Sequence, residues 1–324
     1  MMRVILSLLG LVSVLLAPTM APAQSGYPDR PIKILVGFTP GVAPDITSRL
    51  IGDKFTEVWG KPVVVENITG AGGNIATDRA AKSPPDGYTL VMGGNASLVF
   101  NASLMKLPYD PVADFAPITQ VFIAANILTI PPEIPAKTIE ELVAYAKANP
   151  GKLTYGHAGV GTSQHLGGEL FKYMTKTDVQ PVAYRGSTAI MPDLIAGRVS
   201  MCFCNVVNVM PLAREGKLRI FAVTSKKRSA AAPDLPTMIE AGFPGFEAVP
   251  WFGLMAPAGT SPEIIDKLHR ETVKILAVPD VRKKLEELGL DVIGNTPKEF
   301  AELIKTEIPQ WGTIIKAAGI KLSE

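Results

Sequence analysis

The sequence predicts an α/β fold built as two lobes. Strand and helix patterns alternate along the chain, which is the signature of a mostly parallel sheet with helical crossovers. A strand, a Gly-rich loop and a helix start recur in both halves, at 32–50 and at 153–174. The apolar stretch Ile118–Ile130 and the Pro/Gly-rich passage Ser225–Pro250 mark where the chain leaves one lobe and returns to it. The lobes are therefore expected at 24–125 together with 250–324, and at 126–249.

Residues 1–23 read as a cleaved export signal. Arg3 starts it, Val4–Leu16 is uncharged and apolar, and Ala21-Pro22-Ala23 is a small–x–small cleavage pattern. The apolar run, about 13 residues, is short of the ~20 that span a bilayer. A periplasmic location and a monomer are expected. Without the signal, 31 basic residues face 30 acidic ones, a balance that argues against a nucleic-acid or acidic-membrane partner.

In the first lobe, Ile32, Ile34, Leu35 and Val36 form a short buried strand. The loop after it holds two Gly and two Pro, which end the strand. Asp45 is expected as the N-cap of the next helix, whose Ile46, Leu50, Ile51 and Phe55 share a face, and Gly60 closes it. Strands at Pro62–Glu66 and Tyr88–Met92 flank a helix around Ile75–Lys82. In the second lobe, Thr138 and Glu141 make a capping box for a helix to Ala148. Leu153–Gly156 is a strand, followed by the loop 157–163 and a helix with Leu166, Leu170, Phe171 and Met174 on one face. Strands at Val179–Ala183, Val199–Phe203 and Leu218–Thr224 follow, with Ser187 capping a helix between the first two. The chain closes with a strand at Trp251–Ala256 and three helices, opened by Ser261-Pro262, ended at Gly289, and opened by the box Thr296–Glu299.

Cys202 and Cys204 lie two apart on one strand, which places their Cα atoms ~6.5–7 Å apart, at or beyond bridging range. Two free, buried thiols are expected. No metal-ligand spacing, no G-x-S-x-G elbow and no phosphate loop is present, so no catalytic residue, metal or cofactor is assigned. Gly70-Ala71-Gly72-Gly73-Asn74-Ile75 starts like a dinucleotide fingerprint, but Ile75 replaces the third Gly. The loops 37–45, 93–97, 156–163 and 184–187 all follow strands. Ligands of open α/β sheets bind there, and amides and small hydroxyls suit a small carboxylate.

The chain from Tyr27 to Leu322 resembles the substrate-binding proteins of the tripartite tricarboxylate transporter family, the Bug-type (TctC-like) receptors. The marks are Tyr27-Pro28-Asp29-Arg30-Pro31-Ile32, Gly70–Ile75, Pro85-Asp86-Gly87-Tyr88-Thr89-Leu90, Leu107-Pro108-Tyr109-Asp110-Pro111, Gly161-Thr162-Ser163 with His165, and Trp251-Phe252-Gly253-Leu254. The resemblance implies a type II periplasmic binding fold that closes on its ligand. It implies a non-catalytic receptor that delivers a carboxylate to a membrane complex of one large and one small subunit. The same cleft would equally serve a ligand-sensing adaptor that signals to a membrane sensor kinase. In the family, one ligand carboxylate is gripped between the first-strand loop and the Gly-Thr-Ser loop, partly through ordered waters. Carried over, the ligand residues are Phe38, Thr39, Gly41, Val42, Ala43 and Asp45 on one side. His157, Ala158, Gly161, Thr162 and Ser163 face them, with Asn95, Gly186 and Ser187 nearby. Three departures from the family pattern stand out: Val42 for a usual Gly, Pro44 for a small residue, and Cys204 where an Asp is common. With Cys204 facing the cleft, the lost charge would disfavour an amino-acid ligand and favour a dicarboxylate or aromatic carboxylate.

Overall fold

The computed structural model describes residues 26–184, 186–317 and 319–320; the export signal expected at 1–23 lies outside them. The first sheet starts with β1 (Ile32–Val36), of which only Lys33 is exposed. An apolar run covered on both faces is what a central parallel strand requires. β2 (Val63–Asn67) and β3 (Thr89–Gly94) flank β1 in parallel, reached through the helices α1 (Ala43–Trp59) and α2 (Asn74–Ala81). A π-turn at Ala96–Phe100 and the short α3 (Asn101–Leu104) follow β3 and are not signalled by the sequence pattern. β4 (Phe115–Ala124) then leads directly into β5 (Asn126–Ile130), so a single residue, Ala125, separates the first sheet from the second.

The second sheet orders β7 (Val179–Ala183), β6 (Leu153–His157), β8 (Met201–Asn205), β5 and β9 (Arg219–Val223). Its helices are α4 (Ile139–Ala148), α5 (Ser163–Thr175), α6 (Met191–Ile195) and α7 (Val206–Arg214). The chain returns through Ala248–Pro250 into β10 (Trp251–Pro257), then α8 (Pro262–Ala277), α9 (Pro279–Glu287), β11 (Leu290–Val292) and α10 (Pro297–Ala317). The two connecting segments run side by side: Ala124 N donates to Pro250 O at 2.9 Å, and the Asn126 amide group reaches Ala248 O.

The sheets are mixed rather than mostly parallel. β10 runs antiparallel to both β3 and β4, and β5 antiparallel to β8 and β9. β5 and β10 each enter their sheet from the junction, whereas β3 and β8 end there. The opposed directions follow from crossing between sheets twice.

Four local expectations need correction. Helix α1 starts at Ala43, with Val42 as its flanking residue, so Asp45 is the third helical residue and not the N-cap. Pro44, whose fixed φ suits a first turn, pulls the start upstream. Ser187 heads a 3₁₀ turn (Ser187–Ile190) flanked by Gly186 and makes no cap with its side chain. Cys202 and Cys204 are bonded, with Cα atoms 5.3 Å apart; the strand contracts locally below the ideal rise on which the free-thiol expectation rested. Cys204 is fully buried among Ile127, Ile190, Leu194 and Val206 inside the second sheet's core, so it does not line a cleft. A cysteine there therefore leaves the charge of a cleft unchanged. The capping box at Thr296 is complete: Glu299 N donates to its hydroxyl, and its own N–H donates to Glu299 Oε2. At α4, Glu141 N donates to Thr138 Oγ1, but the Glu141 carboxylate reaches Lys137 N instead.

Candidate functional site

Strand direction decides where the candidate loops come together. The register of β3 against β10 and of β8 against β5 puts the carboxyl ends of β1, β3, β6, β7 and β8 at the junction between the sheets. The loops that follow those strands therefore face one another, as two jaws.

The first jaw is the loop 37–42. Gly37 lies so close to the turn at 71–73 that a Cβ there would stand 2.5 Å from Gly73 Cα. Phe38 packs edge-on against Phe252 with ring centroids 5.4 Å apart. Thr39, Gly41 and Val42 are exposed, and Ala43 is half-buried. Asp45 points inward. Its carboxylate accepts from Gly41 N (2.8 Å), from Asn67 Nδ2 (2.9 Å) and from Arg49. Asn67 Nδ2 also donates to Phe38 O at 3.0 Å. Burial alone would raise the Asp45 pKa, but the hydrogen bonds from Arg49, Gly41 and Asn67 outweigh it and hold the carboxyl below its usual range. Asp45 thus braces the loop from behind. Among the first-turn amides of α1, Pro44 has none and Asp45 N is turned to Val42 O at 3.0 Å.

The second jaw is the loop 157–163 with the start of α5. Thr162 is its N-cap: Oγ1 accepts from His165 N at 3.3 Å and donates to Gly159 O at 2.7 Å. That hydroxyl is fully engaged within the loop. Thr162→Val is expected to lower stability by about 1 kcal/mol, with Thr162→Ser recovering most of it. Equal denaturant melts for the two variants would show that the hydroxyl is not the cap. Ser163 is buried and its Oγ accepts from Asn126 Nδ2 at 3.0 Å. Gln164, also buried, accepts from Ala158 N at 2.9 Å and donates to Ser187 Oγ at 2.8 Å, tying the turn at Gly186 and Ser187 to this loop. His157 is buried, its Nδ1 accepts from Gly159 N at 3.2 Å, and its ring lies 4.6 Å from that of His165. Burial lowers the pKa of both rings, His165 to about 4, so neither carries charge near neutral pH.

The second jaw meets the first sheet's side of the molecule at α3: a Cβ on Gly161 would stand 3.1 Å from Asn101 Oδ1 and 3.4 Å from Leu104. Asn95, at the end of β3, is buried and donates to Val249 O in the returning segment at 2.7 Å. Of the residues expected from sequence, the junction gathers 38–43, Asn95, 157–163 and 186–187, while Asp45 faces inward and Cys204 sits in the core. Asn126 and Gln164 were missed. Their signal is a buried amide: Asn126 opens β5, whose other residues are apolar but for Thr129, and Gln164 lies in the first turn of an amphipathic helix. A surface groove of about 710 Å³ between Met105, Pro108, Val112 and Ile308 shares no residue with the jaws. Its polar groups Asp110 and Asp114 are taken up by amides of their own loop. Among the described residues, no three His, Cys, Asp or Glu side chains converge as a metal site would need.

Residues 47–320 match the family described as "Tripartite tricarboxylate transporter family receptor". The chain belongs to this receptor family. The receptor is 36% identical over 298 residues to Protein BugT of Bordetella pertussis, covering 91% of each chain. Its fold is that of the periplasmic binding proteins. An R. palustris protein solved with adipate superposes at a TM-score of 0.79 with 35% identity, covering 92% of the receptor and 100% of that chain. MatC from Rhodopseudomonas palustris with bound malate gives a TM-score of 0.76 at 32% identity, covering 89% and 100%. The receptor is a solute-binding protein of a transport family and not an enzyme.

Proposed function

We propose that this receptor works in the periplasm, after loss of residues 1–23. There it captures a small organic carboxylate between lobe 1 (24–125 and 250–324) and lobe 2 (126–249). It then delivers the carboxylate, as a monomer, to the large and small subunits of a membrane transporter. The observation that carries the reading is the pair of jaws at the junction, one built on the 38–43 loop and one on Ser163, Ser187 and the first turn of α5. Amide and hydroxyl donors at helix starts favour an anion without a cationic side chain. The adipate and malate held by the two related proteins support a dicarboxylate. An amino acid fits less well, because the oxygens of Asp45 are already held by Arg49, Asn67 and Gly41. Closure is favoured because only a ligand touching both jaws binds one conformer better than the other.

Titration calorimetry against dicarboxylates of increasing length, aromatic carboxylates and amino acids tests this. Saturable binding of a dicarboxylate or an aromatic carboxylate, with amino acids silent, is the expected result. Binding of amino acids alone would overturn the ligand class.

A further inference from the structure

We propose that two buried amides, Gln164 and Asn126, are positioning residues that set the polarity of the second jaw, so that Ser163 and Ser187 present their protons to the ligand. This inference rests on the carboxylate reading above and adds the device by which the site tells a carboxylate from its neutral amide.

Backbone atoms fix the orientation of both amides. Ala158 N–H can only donate, so the Gln164 atom 2.9 Å from it is the oxygen. The other end of that amide is then NH₂, and it donates to Ser187 Oγ at 2.8 Å. Ala248 O can only accept, so the Asn126 atom facing it, at 3.4 Å, is the nitrogen. The same nitrogen donates to Ser163 Oγ at 3.0 Å. Both amides are held in place: Asn126 is 1% exposed and Gln164 4% exposed.

A serine hydroxyl has one proton and two lone pairs. Each of these hydroxyls receives a proton from an amide, so its own proton is directed elsewhere. Among the described residues neither Ser163 nor Ser187 donates to a protein acceptor. Thr162, one residue from Ser163, shows the contrast: its proton goes to Gly159 O and a lone pair to His165 N, leaving no proton for a carboxylate. In a closed cleft, a carboxylate satisfies both serine protons. A primary amide that turns its NH₂ toward either serine leaves that proton without an acceptor, and a buried donor left unmade is expensive.

The test uses the full mature protein with succinate, malate and adipate, each paired with its diamide, which keeps no carboxylate. The quantity read is the ratio of diacid to diamide affinity. Gln164→Glu keeps the bond from Ala158 N but places an acceptor against Ser187, which turns the hydroxyl around. The ratio is expected to fall at least tenfold near pH 7.5, and to recover in acid as the introduced carboxyl protonates and donates again. Added negative charge alone would also lower the ratio, so the variant is combined with Ser187→Ala in a double-mutant cycle. If the hydroxyl carries the effect, Gln164→Glu changes the ratio little once Ser187 is gone. An effect of the same size with and without Ser187 overturns the proposal in favour of plain repulsion. An unchanged ratio in Gln164→Glu overturns it as well. Where Gln164→Glu fails to fold, Gln164→Met enters the same cycle without charge, with the ratio again expected to fall and the same result against. Wild-type protein that binds none of the three diacids counts against an aliphatic dicarboxylate and moves the same ratio to benzoate against benzamide; binding of neither set counts against the carboxylate reading itself. Wild-type binding with insensitive variants defeats only the positioning roles.

Discussion

Asp45→Ala is expected to lower stability by about 2–3 kcal/mol, the range for hydrogen bonds to a charged group, and to weaken carboxylate binding. Three donors lose their acceptor at once: Gly41 N, Asn67 Nδ2 and Arg49. Asn67 is also what holds Phe38 O, so both ends of the 38–41 loop are released together. The loss stays below that of a deeply buried ion pair because Arg49 is half exposed and can turn to water. The sign with pH follows from the lowered pKa of Asp45. Its contribution is fully present above the unfolded carboxyl value of about 4 and is lost as pH falls through the folded one. Denaturant melts of wild type and variant should therefore differ at pH 7 and converge in strong acid. Equal stability at pH 7, with unchanged ligand affinity, would remove Asp45 from the bracing of the loop.

Glu307 should make the protein less stable as pH rises, and Glu307→Gln should abolish that slope. Its carboxyl sits at the base of the two connecting segments, accepting from Trp251 Nε1 at 2.8 Å, in a small polar cavity with Asn95, Glu247 and Gln310. Burial, reinforced by the Glu247 charge and opposed by the Trp251 hydrogen bond and Lys226, pushes its pKa up to about 7. A carboxyl whose folded pKa is raised binds more protons folded than unfolded. Its neutral form is therefore accommodated at low pH, and stability falls between the unfolded value of about 4.3 and the folded one. The fall is on the order of 3–4 kcal/mol by pH 8. Glutamine keeps the acceptor for the indole and cannot ionise. His157 and His165, whose lowered pKa values tilt stability the other way, cancel in the comparison of wild type with variant. Calorimetric melts at pH 5 and pH 8 should show the variant gaining on wild type at the higher pH. Parallel shifts in the two proteins would refute the assignment.

Much of the fold was readable because its signals are short-range. The β1 and β3 runs, the capping box of Thr296 with Glu299 and the left-handed Gly60 that closes α1 each involve residues a few positions apart. The antiparallel β5 and β10 were not readable, since strand direction depends on where the chain enters a sheet and not on the strand's own residues. Pro44 shifted the start of α1 for a local reason that the pattern contained but that the capping preference of Asp45 obscured.

By itself the sequence determined that this chain alternates strands and helices, that small-residue loops follow its strands, and that no metal or nucleophile motif accompanies them. Family membership follows from those same residues. Only the tertiary structure decided which way the polar atoms at the junction point. Asp45 meets Asn67 from 22 positions away, Gln164 meets Ser187 from 23, and Asn126 meets Ser163 from 37. Cys204 looked like a cleft residue from its place at a strand end, and the packing of β5 against β8 put it in the core. A side chain's periodicity comes from its neighbours in sequence, but the direction of its hydrogen bonds comes from whichever distant donor or acceptor the fold brings within 3 Å or so of it.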